Sequence, residues 1–182
     1  MKVLILSGGF RGGNTDCQCK SLSDYVKSQG LDISYILLSE LQIGHCRGCN
    51  VCSESGTCFL NDDMPSVFDL FSEADVVIFA TPVRFNGPSS VIKTMIDRFQ
   101  ELWNNSEKVS HKKRFMCLLA NSGSDNPDIR PMRTVFRSFC YSFGGEWVGD
   151  AISIGTDRTK DNLAGDAIKF WDEVYSAVTR ES

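Results

Sequence analysis

The feature that most constrains the fold is a regular alternation of short apolar runs with longer amphipathic segments. The run DVVIFAT at residues 75–81 is continuously apolar, which is typical of a central strand covered on both faces. Strand and helix patterns alternate about five times, and this predicts an α/β fold with a parallel sheet between helices. The predicted strands cover residues 2–6, 31–38, 75–81, 114–120 and 146–154.

Length and composition limit the class of protein. The chain has 182 residues, a size that predicts one domain over residues 1–182 with a core that needs neither disulfides nor metal. No apolar run is long enough for a signal-peptide core or a membrane span, so we expect a cytoplasmic protein. The net charge is −4 and there is no basic run, which argues against nucleic acid or an anionic membrane as a partner.

A glycine-rich loop, SGGFRGGNT at residues 7–15, joins the first predicted strand to the first predicted helix. Ligands of doubly wound sheets bind where strands end, and a helix N-terminus offers unpaired N–H groups to a phosphate. The loop lacks the G-x-G-x-x-G spacing of dinucleotide sites, and Asn14 stands where a Walker A loop has lysine. A single phosphate is therefore the predicted ligand, and a connection that binds nothing is the alternative.

Two segments of the sequence carry recognisable motifs: ILSGGFRGGNT at residues 5–15, and TPVRFNG at residues 81–87 with K-x-x-I-D-R at residues 93–98. Together they resemble the flavodoxin-like NAD(P)H-dependent FMN reductase family. The first is similar to the phosphate loop of that family, G-S-P-R-x-x-G-N-T, and the second to its T-P-x-Y-x-x-x segment and the following helix. The resemblance implies bound FMN and a flavodoxin-like, doubly wound sheet of five parallel strands in the order 2-1-3-4-5, with helices on both faces.

The resemblance also implies which residues bind FMN. The first loop would hold the phosphate, the loop after the third strand the ribityl chain and one flavin edge, and the loop after the fourth strand another side of the ring. All three loops leave carboxyl ends of strands, so they can converge on one crevice. The predicted FMN-binding residues are Ser7, Gly8, Gly9, Phe10, Arg11, Gly13, Asn14, Thr15, Thr81, Pro82, Val83, Arg84, Phe85, Asn86, Gly87, Asn121, Ser122 and Gly123.

The chain departs from the family pattern at charged positions. Gly8 stands where the family has serine, and Phe10 stands near the usual arginine, so we expect Arg11 to supply the missing charge. Arg84 replaces a common tyrosine beside the flavin. We hypothesise that a cation there favours the anionic reduced flavin and raises its potential.

Four cysteines form a C-x2-C-x2-C-x5-C pattern inside an irregular insertion at about residues 43–61. They are Cys46, Cys49, Cys52 and Cys58. Four thiolates so close together can ligate an iron–sulfur cluster, and a tetrahedral zinc site is also open. The run resembles that of iron–sulfur flavoproteins, a branch of the same family, which implies a [4Fe–4S] cluster. Relatives with a similar run but no cluster leave free thiols or a redox pair as alternatives.

The predicted function is that of an FMN-dependent oxidoreductase. Hydride would pass from NAD(P)H to the flavin, and electrons would then reach a small acceptor such as a flavin or a quinone. Because the cofactor carries this chemistry, no side chain is assigned as a catalytic acid or base. Two other functions stay open: an iron–sulfur flavoprotein electron carrier reduced by ferredoxin, and a non-enzymatic flavin-binding module. Family analogy also implies a homodimer or homotetramer.

Overall fold

The sheet confirms the predicted fold class and strand order. The computed structural model describes residues 1–105, 107 and 112–180; the predicted domain also includes residues 106, 108–111 and 181–182, which lie outside this part. Five strands lie in the order β2-β1-β3-β4-β5, and every neighbouring pair is parallel. The strands are β1 (Lys2–Ser7), β2 (Asp32–Leu37), β3 (Val76–Pro82), β4 (Arg114–Asn121) and β5 (Gly145–Ser153).

The helices of the described residues cover both faces of the sheet. None of them is long and apolar enough to cross a membrane. A 3-10 turn follows β2 at Leu38–Glu40. The helices are α1 (Asn14–Ser28), α2 (Val51–Ser55), α3 (Met64–Glu73), α4 (Ser90–Arg98), α5 (Gln100–Asn104), α6 (Arg130–Ser142) and α7 (Leu163–Arg180).

Two segments differ from the prediction. The pattern at residues 88–103 predicts one helix, but the chain forms α4 and α5 with a break at Phe99, whose side chain is buried in the core. The insertion at residues 43–61 contains the short helix α2. Left-handed residues bound this helix, since Asn50 has φ +61° and Gly56 has φ +76°.

Alternate residues of the strands belong to two different cores, one on each face of the sheet, because successive side chains of a strand point to opposite faces. Leu4 belongs to the core beneath α3, α4 and α6, whereas Ile5 belongs to the core beneath α1 and α7. In β3, the residues from Val76 to Thr81 are all buried, as a central strand covered on both faces should be.

Candidate cofactor site

A cavity of about 340 Å³ opens at the carboxyl edge of the sheet. The loops after β1, β3, β4 and β5 form its walls, because the carboxyl ends of parallel strands lie at the same edge of the sheet. The volume lies in the range of small-molecule sites, roughly 300–1,000 Å³. The lining residues are Gly9, Phe10, Gly12, Gly13, Asn14, Thr15, Pro82, Val83, Arg84, Asn121, Gly123, Thr156, Asp157 and Lys160.

The loop after β1 leaves the first turn of α1 available to an anion. Gly12 is left-handed, with φ +75°, and the Gly13 N–H donates to the Phe10 carbonyl at 3.0 Å, which closes the turn. Gly13 is the N-cap residue, and no side chain caps the helix. Uncapped first-turn N–H groups and the positive end of the helix dipole suit a phosphate. The loop therefore fits the phosphate end of FMN.

Asp16 supports this loop from below. Its buried carboxylate accepts hydrogen bonds from the Gly12 N–H at 2.7 Å, the Tyr35 hydroxyl at 2.7 Å and the Lys20 ammonium at 2.8 Å. Burial alone would raise the pKa of Asp16, but the hydrogen bonds and the charge of Lys20 outweigh it and lower the pKa below its ordinary value. The carboxylate is thus ionised at neutral pH and holds Gly12 in place.

A chain of buried polar side chains ties α1 to the ends of β4 and β5. Asn121 Nδ2 donates to Thr15 Oγ1 at 2.8 Å and to Gln18 Oε1 at 3.4 Å. Gln18 Nε2 in turn donates to Ser153 Oγ at 3.1 Å, and that hydroxyl donates to Asp166 at 2.5 Å. Since buried polar groups in a satisfied network hold one geometry, this chain fixes the relative positions of the cavity loops.

The loop after β3 begins with a tight turn. Arg84 and Gly87 exchange two backbone hydrogen bonds of 2.8 Å. The two residues between them are left-handed, with φ +49° at Phe85 and φ +63° at Asn86. Positive φ is uncommon for a bulky residue, and here the Phe85 side chain is fully exposed at the tip of the turn.

The predicted FMN-binding residues divide into two groups. One group lines the cavity: Gly9, Phe10, Gly13, Asn14, Thr15, Pro82, Val83, Arg84, Asn121 and Gly123. The other group lies outside its lining: Ser7, Gly8, Arg11, Thr81, Phe85, Asn86, Gly87 and Ser122.

Several residues of the second group support the backbone of the cavity loops. The hydroxyl of Ser7 accepts the Gly9 N–H at 3.3 Å, and that of Thr81 accepts the Ser89 N–H at 3.0 Å. Ser122 Oγ accepts the N–H of Ser124 at 3.1 Å. These buried hydroxyls are therefore structural supports of the cavity, one layer behind its wall.

Gly8 and Arg11 differ from their expected roles for separate reasons. The Gly8 N–H donates to the Ala80 carbonyl at 2.8 Å, and a Cβ on Gly8 would lie 2.8 Å from Ile92 Cβ, so this position packs the loop on α4. Arg11 is 73% exposed and its guanidinium pairs with Glu40. The structure thus does not bring Arg11 into the cavity, where it was expected to supply charge.

The loop after β5 contributes three lining residues that the prediction missed: Thr156, Asp157 and Lys160. Asn14 Nδ2 donates to the Thr156 carbonyl at 3.0 Å, which fastens this loop to the first turn of α1. The sequence held one signal for these residues. Their loop follows a fifth parallel strand, and the loops after parallel strands lie at the same edge of the sheet.

The four cysteines do not form a ligand set in this structure. Cys46 and Cys49 are exposed, whereas Cys52 and Cys58 are half-buried. Cys52 Sγ accepts a hydrogen bond from Asn104 Nδ2 at 3.3 Å. Within residues 1–105, 107 and 112–180, no three Cys, His, Asp or Glu side chains are grouped so that they could hold a metal. The predicted [4Fe–4S] or zinc site does not fit this arrangement of the loop.

A larger groove of about 690 Å³ lies between α4, α5 and α6, with Cys46 at its rim. The segment after β2 contributes Cys46 and Gly48 to its lining, whereas the loops after β1, β3, β4 and β5 contribute none of its lining residues. The smaller cavity is therefore the candidate cofactor site, since it contains the phosphate-type loop.

Sequence comparison identifies the family of the chain. The sequence model of the NADPH-dependent FMN reductases matches residues 1–152, from the start of β1 into β5. The chain belongs to the NADPH-dependent FMN reductase family. The match confirms the resemblance to this family that was based on the phosphate loop and the TPVRFNG segment.

Relatives of this FMN reductase family member have two kinds of name. An iron–sulfur flavoprotein of Methanocaldococcus jannaschii is 34% identical over 103 residues, which cover 56% of this chain and 53% of that protein. A Bacillus subtilis protein whose name describes an NAD(P)H-dependent FMN-containing oxidoreductase is 26% identical over 178 residues, 93% of this chain and 90% of that protein. The chain thus spans about half the length of the first of these relatives.

Solved structures support the fold of this FMN reductase family member. A flavone reductase superposes with a TM-score of 0.75 at 20% identity, over 98% of this chain and 63% of that one. Because the identity is low, this likeness is evidence for the flavodoxin-like fold alone.

Proposed function

We propose that this chain is an FMN-dependent oxidoreductase that passes electrons from NAD(P)H through bound FMN to a small acceptor such as a flavin or a quinone. The observation that supports it is the cavity at the carboxyl edge, where the uncapped first turn of α1 meets the loops after β3 and β4. Membership of the FMN reductase family supports FMN as the ligand. Bound FMN supplies the hydride and electron transfer.

The residues of the cavity bind and orient the cofactor in this proposal. The backbone N–H of Asn14 and the side chain of Thr15 bind the phosphate. Pro82 and Val83 form the wall against the flavin. No described side chain is needed as a proton donor or acceptor, because the protein contributes placement and electrostatics.

A binding measurement tests the ligand. The flavin released from purified protein by heat should be FMN on chromatography. Gly13→Asp puts a carboxylate at the phosphate loop, and we expect it to weaken FMN binding by at least about tenfold through like-charge repulsion. Gly165→Asp is the matched control, because it adds the same charge where a new side chain meets open space on α7. A protein that binds no FMN would contradict the proposal.

An activity measurement tests the reaction. Under anaerobic conditions, NADPH or NADH should bleach the flavin absorbance, and addition of a benzoquinone or riboflavin should restore turnover. If the FMN binds but neither nicotinamide nucleotide reduces it, the chain is a non-enzymatic flavin-binding module instead.

A second candidate function is an iron–sulfur flavoprotein electron carrier with a [4Fe–4S] cluster and ferredoxin as its reductant. It is favoured by the four-cysteine spacing and by the name of the Methanocaldococcus relative. The loop would have to rearrange to gather the four sulfurs. Anaerobically purified protein should then be brown, with about four iron atoms per chain, and Cys46→Ser should lower the iron content. Yellow, iron-free protein that oxidises NADPH excludes this function.

The cytoplasmic location and the homodimer or homotetramer stay predictions. Light scattering of the FMN-loaded protein measures the assembly state, and a monomer would contradict the family analogy.

A further inference from the structure

A cation at the phosphate end of the cavity would offset charge that the helix N-terminus leaves uncompensated. A phosphate monoester carries roughly −1.5 to −2 charges at pH 7, whereas a helix N-terminus supplies only about +0.5. The arginine that the family pattern places in this loop is missing, since Phe10 stands there. Arg11, one position on, is turned toward Glu40 and lies outside the lining. A cation that contacts the phosphate would therefore have to come from another part of the chain.

Two cations are found among the described residues that line the cavity, Arg84 and Lys160. Arg84 follows β3 and continues the wall formed by Pro82 and Val83, which is the flavin side. Lys160 belongs to the loop after β5. That loop is fastened to the phosphate side, because the Asn14 side chain donates to the Thr156 carbonyl at 3.0 Å.

The loop that carries Lys160 has a defined shape. The N–H of Thr156 donates to the Ser122 carbonyl at 3.0 Å, and the N–H of Arg158 donates to the Gly155 carbonyl at 3.0 Å. Gly155 is left-handed, with φ +64°, which turns the chain at this point. The start of the loop is thus held between the ends of α1 and β4, and Lys160, which follows it, lines the cavity.

Two other charged side chains of this loop have contacts of their own. The carboxylate of Asp157 occupies the place where a Cβ on Gly123 would lie, so it packs on the loop after β4. The guanidinium of Arg158 pairs with Asp125. Lys160, by contrast, is exposed, and its side-chain ammonium makes no hydrogen bond or ion pair with the described part of the chain.

We propose that Lys160 binds the phosphate of FMN and takes the place of the arginine that the loop lacks. The inference rests on the proposed function, because it assumes FMN in this cavity. A lysine ammonium is a compact, strongly hydrated charge that binds phosphate without fixed geometry, which suits a side chain entering from a neighbouring loop. A contact between the Lys160 ammonium and the phosphate distinguishes FMN from riboflavin, which has no phosphate.

Comparing the two ligands tests the assignment. The flavin-free full-length protein is titrated with FMN and with riboflavin, and flavin fluorescence reports binding. Lys160→Gln should weaken FMN binding about tenfold, the loss expected for one charge-assisted hydrogen bond, and leave riboflavin binding unchanged. Lys160→Arg should restore FMN binding. Lys169→Gln, which removes an exposed lysine on α7 outside the cavity lining, should match the wild type.

The outcomes separate the two proposals. Equal weakening of FMN and riboflavin binding by Lys160→Gln, or no weakening of either, overturns the role of Lys160 while the FMN function stands. Wild-type protein that binds neither ligand overturns both. Added salt should also weaken FMN binding by the wild type more than FMN binding by Lys160→Gln. Salt screens the contact between the Lys160 ammonium and the phosphate, and the variant lacks this contact.

Discussion

Arg84 changes the electrostatics of the cavity through a single side chain. It lines the wall that continues from Pro82 and Val83, where the family pattern has a tyrosine. A cation beside a ring that gains electrons favours the more negative form of the ring. Arg84 is exposed, so solvent and salt screen part of its charge and the effect should be largest at low ionic strength.

Replacing Arg84 by tyrosine should therefore lower the midpoint potential of the bound flavin. Arg84→Lys, which keeps the charge, should leave the potential near that of the wild type. Equilibrium titration with redox dyes of known potential measures both variants. An unchanged potential in Arg84→Tyr rules out the electrostatic role.

Asp16 is the residue whose protonation couples the loop to folding. Asp16→Asn removes a buried charge that three donors share, and we expect a loss of about 1–3 kcal/mol in the free energy of unfolding at pH 7. Because the folded-state pKa is lowered, this contribution is present above the unfolded pKa of about 3.9 and is lost as pH falls through the folded value. The difference between variant and wild type should shrink below about pH 4.

Urea unfolding at several pH values measures this difference. Asp24→Asn is the control, because Asp24 is exposed on the same helix. A constant difference between Asp16→Asn and the wild type across the acid range would show that the carboxylate charge contributes nothing.

At the scale of elements, a buried ion pair anchors the cysteine-containing loop to α4. Arg98 is 2% exposed and pairs with Asp62, and it also donates to the Gly44 carbonyl at 2.9 Å. Asp62 accepts the N–H groups of Gly44 at 2.9 Å and of Met64 at 3.1 Å. One pair thus holds the start and the end of residues 43–61, as well as the first turn of α3.

Arg98→Met should release this loop and leave Asp62 buried without its partner. Loss of one member of a buried pair costs about 3–5 kcal/mol of stability. We expect thiol reagents to label the half-buried Cys52 and Cys58 faster in the variant than in the wild type. Lys93→Met is the matched control, since Lys93 makes an exposed pair with Asp97 on the same helix. Equal labelling rates in the two variants would refute the anchoring role.

At the scale of the whole molecule, an aromatic cluster joins α3, α4, α5 and α6 on one face of the sheet. The ring of Phe99 lies at the junction of α4 and α5, with its centroid 4.9–5.3 Å from those of Phe68, Phe71, Phe139 and Phe143. Edge-to-face contacts at these distances are favourable. The cluster therefore explains why the chain breaks the helix here: the break turns Phe99 into the core.

Phe99→Ala should lower the free energy of unfolding by about 3–5 kcal/mol, because it removes a buried ring and leaves a cavity. Chemical denaturation measures the change. Trp103→Ala on α5 is the comparison, since the Trp103 side chain is 56% exposed and its loss should cost much less. Similar losses in both variants would mean that the ring cluster is not a centre of stability.

The sequence by itself determined the fold class, the strand order through the family resemblance, and the phosphate-type loop. Strand period, helix period and the chemistry of a helix N-terminus are local properties, so a linear pattern carries them. Cavity residues such as Gly13 and Asn14, where the loop after β1 meets α1, and Asn121, at the end of β4, were predictable from this pattern and the family resemblance.

Only the tertiary structure decided which charges face the cavity and where the cysteine sulfurs lie. The bond that brings the loop of Lys160 to Asn14 joins residues 142 positions apart, and no local pattern encodes it. The same holds for Arg11, which lies in the expected loop but pairs with Glu40 from the turn after β2. Which side chains meet depends on packing between distant segments, and this decides which charges line the cavity.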